Sequence, residues 1–487
     1  MRRGGKSTFE RLQSGRLNRK QRRELTRRLC STDPGLEVVH RNAAGIDVGN
    51  ELHFVAVPPG RDPEPVREFG CWTADLHRLA DWLPACGIET VVMQSTGVYW
   101  VALYDVLGAR GFEVCLANAR DTKNLPGRKS DVQESQWLMK LHTYGLLRNS
   151  FRPPEEIRAL RTVWRLRARH VQEAGRCVQH MQKALTTMNV QLANVISDVS
   201  GITGQAILRA VLRGERDPYK LAQLRDGRIR ASEEEIARSL EGNWQEDVLF
   251  ELQQAVDGYD FCQKQIRECD QRLQKYLAVL PTGAVGENSQ GEAEVETPAP
   301  QPGKKRGAKK YKSKKTKNAP AFDLAAELQR ICGADLTTID GIDVMTVQTV
   351  VSELGTDMSP WPTEGHFASW LTLCPSRDIS GGKVVRQSSR RGNNRVAAAL
   401  RMAATTLLRS QTYLGAKYRW LRARLGAPKA TKAMAHYLAR LIYRMLTRGQ
   451  AWVDRGMKEF QQKNQQREMA TLERKATAMG YRLVAVS

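Results

Sequence analysis

Apolar residues change their spacing twice along this chain, and each change marks a boundary. From residue 40 to 152, short β-like runs alternate with helical stretches. Ala43–Gly49, Glu51–Val57 and Val66–Gly70 read as three closely joined strands, followed by strands at Glu89–Gln94 and Phe112–Ala117. Helical spacing fits Thr73–Trp82, Val98–Ala109 and Asp131–Leu147. Three hairpin-capable strands followed by β-α-β-α predict an α/β domain, a mixed sheet flanked by helices.

Past Pro153-Pro154 the period becomes that of long helices. A stripe from Ile157 through Leu160, Trp164, Val171, Met181 and Leu185 to Val195 follows 3-4 spacing, broken by Arg167. A second stripe runs from Leu252 through Tyr259, Cys262, Ile266 and Leu273 to Leu280. Two such stripes joined by about fifty residues predict a long antiparallel coiled coil, within one chain or between chains. Its aromatic and Met positions are core. Ser232 and Glu235 have capping-box spacing.

The pattern fails altogether at 281–320, where acids and prolines give way to a lysine tract. Lys304 to Lys317 holds nine basic residues and no acid, so this segment reads as a flexible linker, a solvated spacer or a backbone-binding arm. Beyond it the chain is helical and basic. Leu336–Asp343 reads as helix, glycine turn, helix, either a core hairpin or a phosphate-facing one. Ser376–Arg395 is polar and rich in Ser, Gly and Arg, so it is a loop or ribbon. The divisions are therefore an arm at 1–39, the α/β domain at 40–152, the coiled coil at 153–280, the linker at 281–320, a helical domain at 321–465 and a tail at 466–487.

Composition sharpens this. The 487 residues carry 76 Lys and Arg against 52 Asp and Glu, a formal charge of +24 that calls for a polyanion. Eleven of the bases lie in residues 1–30. With 41% apolar residues the chain can fill real cores, which excludes a wholly disordered protein. No run approaches the roughly 20 apolar residues of a membrane span, and no apolar segment follows the basic start, so neither span nor leader is expected. The nine cysteines are scattered, with no C-x-x-C and no zinc-finger pairing with His, so reduced thiols are expected.

Three carboxylates stand out. Asp47 lies in an apolar strand, where a carboxylate needs a partner or a cation, unless it is a turn residue before Gly49. Asp131 and Glu134 share one face at the start of a helix, a pair that could bind metal or simply favour the helix dipole. A strand-borne Asp followed by a helical acid pair resembles the RNase H-like nuclease fold, whose hard oxygen ligands gather magnesium.

Five segments carry a more specific resemblance: Gly45-Ile46-Asp47-Val48-Gly49, Met93 to Trp100, Lys129 to Glu134, Ile339-Asp340-Gly341-Ile342, and Ser380-Gly381-Gly382 with Arg390-Arg391-Gly392-Asn393. Together, over about 40–460, they resemble the DEDD transposases of bacterial insertion sequences, the bridge-RNA-guided recombinases. The resemblance implies an RNase H-like domain in which Asp47, Asp131 and Glu134 bind Mg2+, and a second domain in which Ser380 attacks a DNA phosphodiester and holds it as phosphoserine. It also implies donor and target DNA, a structured guide RNA, a tetramer built as two dimers, and a cytoplasmic, nucleoid-associated place in a bacterium. The family's second acid falls at Gln94, and its fourth Asp at Glu134. Either the centre works as Asp-Gln-Asp-Glu, with the Gln94 carbonyl as a ligand, or catalysis is impaired.

Arg128 and Lys129 beside the acid pair, and Arg377, Lys383, Arg386, Arg390, Arg391 and Arg395 around Ser380, are candidate phosphate contacts. Arg161 and Arg165, at the basic start of the coiled coil, are candidates for an RNA or DNA backbone. Two other readings stay open: a metal-dependent junction nuclease without covalent intermediate, and a non-catalytic nucleic-acid scaffold.

Overall fold

The computed structural model describes residues 24–25, 27–29, 35–94, 97–118, 130–283, 318–380, 383–389, 392–449, 466 and 469–482. It divides into two compact units, Met1–Arg152 and Pro153–Ser487.

The first unit is a five-stranded mixed sheet in the order β3-β2-β1-β4-β5. Its strands are β1 (Ala43–Val48), β2 (Leu52–Ala56), β3 (Val66–Gly70), β4 (Thr90–Gln94) and β5 (Glu113–Ala117). The first three pair antiparallel, and β1, β4 and β5 run parallel. Helices α1 (Thr73–Ala85), α2 (Trp100–Ala109) and α3 (Asp131–Thr143) flank it. Alternation along β1 and β4 sorts side chains to two faces. Ile46 and Met93 join Leu79, Leu83, Leu103 and Leu107 in one core, whereas Val92 joins Cys115, Ala117 and Leu138 of α3 in the other. The expected mixed sheet with flanking helices is what the chain forms. Helix α3 ends four residues earlier than its apolar pattern suggests, because Gly145 takes a left-handed φ of 60° just past the end.

In the second unit, α4 (Glu155–Thr187) and α9 (Glu246–Val279) form the long pair. Arg167 meets Asp270, Ala174 packs with Cys262 and Ile266, and Lys183 reaches Glu251. As one number rises the other falls, so the helices run antiparallel. Arg167 breaks the apolar stripe because it is buried as an ion pair with Asp270, and it also donates to the Asn318 carbonyl at 2.9 Å. Four short helices, α5 (Leu192–Val195), α6 (Ile202–Leu212), α7 (Pro218–Ala222) and α8 (Glu233–Ser239), close the far end around a shared core. The capping box at Ser232 and Glu235 is complete, with both reciprocal hydrogen bonds.

The C-terminal part holds α10 (Leu324–Cys332), α11 (Val344–Leu354), α12 (Glu364–Trp370), the strands β6 (Pro375–Ser380) and β7 (Lys383–Ser389), then α13 (Arg395–Thr406), α14 (Tyr413–Leu425) and α15 (Ala427–Arg448). A 3-10 turn at Leu336–Thr338 leads into α11, capped by Asp343, with Gly341 at φ 84° between them. A side chain at Gly341 would lie 2.9 Å from the Ala403 carbonyl, so this turn packs on α13 as a core hairpin. Between Pro375 and Ser389 the polar Ser/Gly/Arg stretch is an antiparallel ribbon.

Candidate functional site

Sheet register and one close helix contact place Asp47, Gln94 and Glu134 at the same end of the sheet. Pairing of Ile46 with Met93 sets Asp47 level with Gln94 at the C-terminal ends of two parallel strands. By alternation both share the face of Gly45 and Val92, the face α3 covers. Gly45 allows this: a side chain there would collide with the backbone of Ser135 and Met139 in α3. The helix therefore lies directly on β1, and its first turn comes to the strand ends. Ser130 caps that turn by accepting from Gln133 N at 3.3 Å.

Glu134, half-buried, accepts a hydrogen bond from the Gln94 amide, and Gln94 is itself buried at 5% exposure. Asp131 is exposed, one turn before Glu134 on the same helix. Asp47, Gln94 and Glu134 thus gather where β1, β4 and α3 meet. Among the described residues no three His, Cys, Asp or Glu form a metal-ligand group. Asp47, Asp131 and Glu134, all among the described residues, are therefore not brought together as one three-carboxylate ligand group. The donors that remain are all oxygens, from two or three carboxylates and one amide, a set suited to a hard divalent cation.

Away from this corner, the neutral state of His142 is fixed by its surroundings. Its Nε2 lies 2.8 Å from Thr90 Oγ1 and its ring stacks on His40 at 4.5 Å. Burial, with a smaller push from the His40 charge, lowers its pKa to about 4.

Ser380 is the last residue of β6, paired with Lys383 across the turn of the ribbon. Arg377 and Arg386 lie on the same two strands, opposite Gln387 and Asp378. Arg128, Lys129, Arg390 and Arg391 lie outside the described residues. The ribbon leads into α13, whose first residue, Arg395, has its guanidinium 4.0 Å from Glu353.

Glu353 was not singled out by sequence reasoning, and it is the centre of this region. Buried on α11, it receives Arg165 through two hydrogen bonds of 2.8 and 2.6 Å. Arg161 lies 3.3 Å from the same carboxylate and also donates to the Glu353 carbonyl. Burial lowers the Arg161 pKa, while the hydrogen bonds to Glu353 raise that of Arg165. Arg161 and Arg165, expected at a nucleic-acid backbone, are therefore engaged inside the chain, tying α4 to α11. A similar fork joins Glu364 of α12 to Arg440 and Arg444 of α15. Burial works to raise that carboxyl, but the hydrogen bonds from Arg444 and Arg440 outweigh it and hold it below its ordinary value.

A five-stranded mixed sheet in this order, with Asp47 and Gln94 at the ends of adjacent parallel strands and flanking helices, is consistent with an RNase H-like domain. Two transposase family models match the chain in order: a DEDD transposase model of the IS110 type over residues 44–190, and the transposase IS116/IS110/IS902 family over residues 333–419. The chain is a DEDD transposase of the IS110 family, an enzyme that acts on DNA and whose nuclease-like domain implies a divalent cation. No curated protein matches it. Among the described residues no helix is long and apolar enough to cross a membrane.

Proposed function

We propose that this transposase excises and inserts its element through two cooperating centres, one binding Mg2+ and one built on Ser380. The observation that carries the reading is the meeting of Asp47, Gln94 and Glu134 at the ends of β1, β4 and α3. Asp47 and Glu134 would hold the cation, with Asp131 one turn away and Gln94 able to offer its carbonyl. When bound, the cation supplies positive charge against the phosphate oxygens and favours ionisation of a nearby hydroxyl. Gln94 keeps Glu134 in place, and Ser130 fixes the helix start that carries both helical acids.

Ser380, which ends β6 and pairs with Lys383, would be the nucleophile. Its hydroxyl oxygen bonds to phosphorus as the bond from phosphorus to one deoxyribose oxygen breaks. The serine proton is lost and the leaving oxygen gains one, so a strand end is freed without hydrolysis. Attack by a deoxyribose hydroxyl of a second strand reverses these events, rejoins the DNA and restores the serine. Basic side chains along the ribbon, Arg377, Lys383 and Arg386, and those beyond it, Arg390, Arg391 and Arg395, would hold the phosphates on either side. Donor and target choice would be delegated to base pairing with a structured guide RNA, as a basic protein with few base-reading motifs suggests. The working assembly would be a tetramer of two dimers, in the nucleoid.

The test is to trap the adduct. Denaturing gels of the full-length protein with a nicked or suicide DNA substrate should show a protein–DNA band that is absent in Ser380→Ala. Strand cleavage without any such band, in wild type and Ser380→Ala alike, would replace this reading with a junction nuclease lacking a covalent intermediate.

A further inference from the structure

Between Ile379 and Val453 the chain has sixteen Lys and Arg and no Asp or Glu. Two acids from outside that stretch answer part of this charge, Glu353 facing Arg395 and Glu364 holding Arg440 and Arg444. Among the described residues Arg422, Arg424 and Lys429 enter no ion pair. They lie on α14 and at the start of α15, where a second feature coincides with the charge.

Helix α14 buries Leu414, Gly415 and Tyr418 and carries a second stripe at helical spacing, from half-buried Tyr413 and Lys417 to exposed Trp420 and Arg424. Trp420 is 57% exposed, and the Arg424 guanidinium stands 5.5 Å from its ring centre. Lys417 stands 3.4 Å from the ring of Tyr437 on α15 and 5.7 Å from that of Tyr413. Burial, with a smaller push from Arg440, lowers the Lys417 pKa to about 8. The stripe therefore begins in packed aromatic and cationic contacts and ends in an exposed indole flanked by cations.

Charge alone would suit any polyanion. A large flat apolar ring exposed among cations asks for more, a partner that brings a flat apolar face together with its phosphates. A duplex keeps its bases stacked inside, whereas an unpaired strand presents them. We propose that α14 is a binding site for unpaired nucleic acid, a base stacking on Trp420 while Arg422, Arg424 and Lys429 take the flanking phosphates. This rests on the transposase reading only in expecting nucleic acid at all. The chemistry is common to single-stranded RNA and DNA.

The test uses full-length protein and fluorescence anisotropy with labelled oligouridine, oligothymidine and a duplex, each about 20 nucleotides long, beyond the ~4–16 nucleotide reach of one strand-binding site. Trp420→Ala should weaken binding of at least one single strand about tenfold, in line with the ~1–3 kcal/mol of one base stack, with Trp420→Phe close to wild type and duplex binding unchanged. The strand that weakens identifies the source. Because Trp420 is exposed, an unaltered melting temperature should accompany the loss. Single-strand binding by Trp420→Ala equal to wild type overturns the site, as does an equal loss on the duplex. Asp47→Ala, assayed in parallel for strand cleavage, tests the metal centre separately, and strand binding at Trp420 stands or falls independently of it.

Discussion

The two units handle charge in opposite ways. In the first, the end of β1 sets Asp47 level with Gln94 on β4, whose amide donates to Glu134. In the second, two glutamates each collect several arginines, Glu353 with Arg161, Arg165 and Arg395, and Glu364 with Arg440 and Arg444. Gathered acids raise the local demand for a cation, whereas a few acids spread among many bases anchor helices and leave the remaining cations for a polyanion. The total of +24 conceals this division, because it sums a corner that wants positive charge with a surface that supplies it.

The largest effect is expected where the basic side is anchored. Replacing Glu353 with Ala leaves Arg161 and Arg165 without their carboxylate. The second unit should lose about 3–5 kcal/mol, the cost of breaking a buried ion pair. Thermal melting of the full-length protein checks this; a melting temperature equal to wild type would show that the arginines do not depend on Glu353.

Gly45→Ala attacks the acidic side through packing alone. The added methyl collides with the α3 backbone at Ser135 and Met139, so the helix must lift from β1, at an overpacking cost of about 1–3 kcal/mol. The same lift separates Glu134 from Asp47. Cleavage should therefore fall further than the loss of stability explains.

A pH effect sharpens the comparison further, because His142 sits at the opposite end of β4 and α3 from the acidic corner. Its folded pKa of about 4 lies below the ordinary 6.5, so the unfolded chain takes up a proton first as pH falls. Its contribution is complete above about pH 6.5 and is lost progressively as pH drops toward 4. At about 1.4 kcal/mol per unit the loss approaches 3 kcal/mol. His142→Gln should flatten the pH dependence of melting of the first unit over that window.

Much of this architecture was legible in the sequence, for physical reasons that differ by region. Strand alternation set the five-stranded sheet, and the 3-4 stripes set the α4–α9 pair, because both periods follow from burying one face. Arg167 announced itself as an interruption of its stripe, and its partner Asp270, 103 residues away, did not. Glu353 was invisible for the same reason: it meets Arg165 across 188 residues, and no local pattern encodes that contact. Gly45 gave no sign either, since an apolar strand tolerates glycine for several reasons and only the approach of α3 identifies the one that applies. Trp420 did leave a signal, the acid-free run around it, which becomes apparent only when absences are counted as well as motifs.

The central claim is that Asp47, Gln94 and Glu134 form one cation site in which Gln94 is the weak member. Isothermal titration of Mg2+ into wild type, Asp47→Ala and Gln94→Glu measures it directly. Restoring an acid at Gln94 should tighten binding about tenfold, equivalent to about 1.4 kcal/mol, and Asp47→Ala should abolish it. Unchanged Mg2+ affinity in both variants would contradict the account.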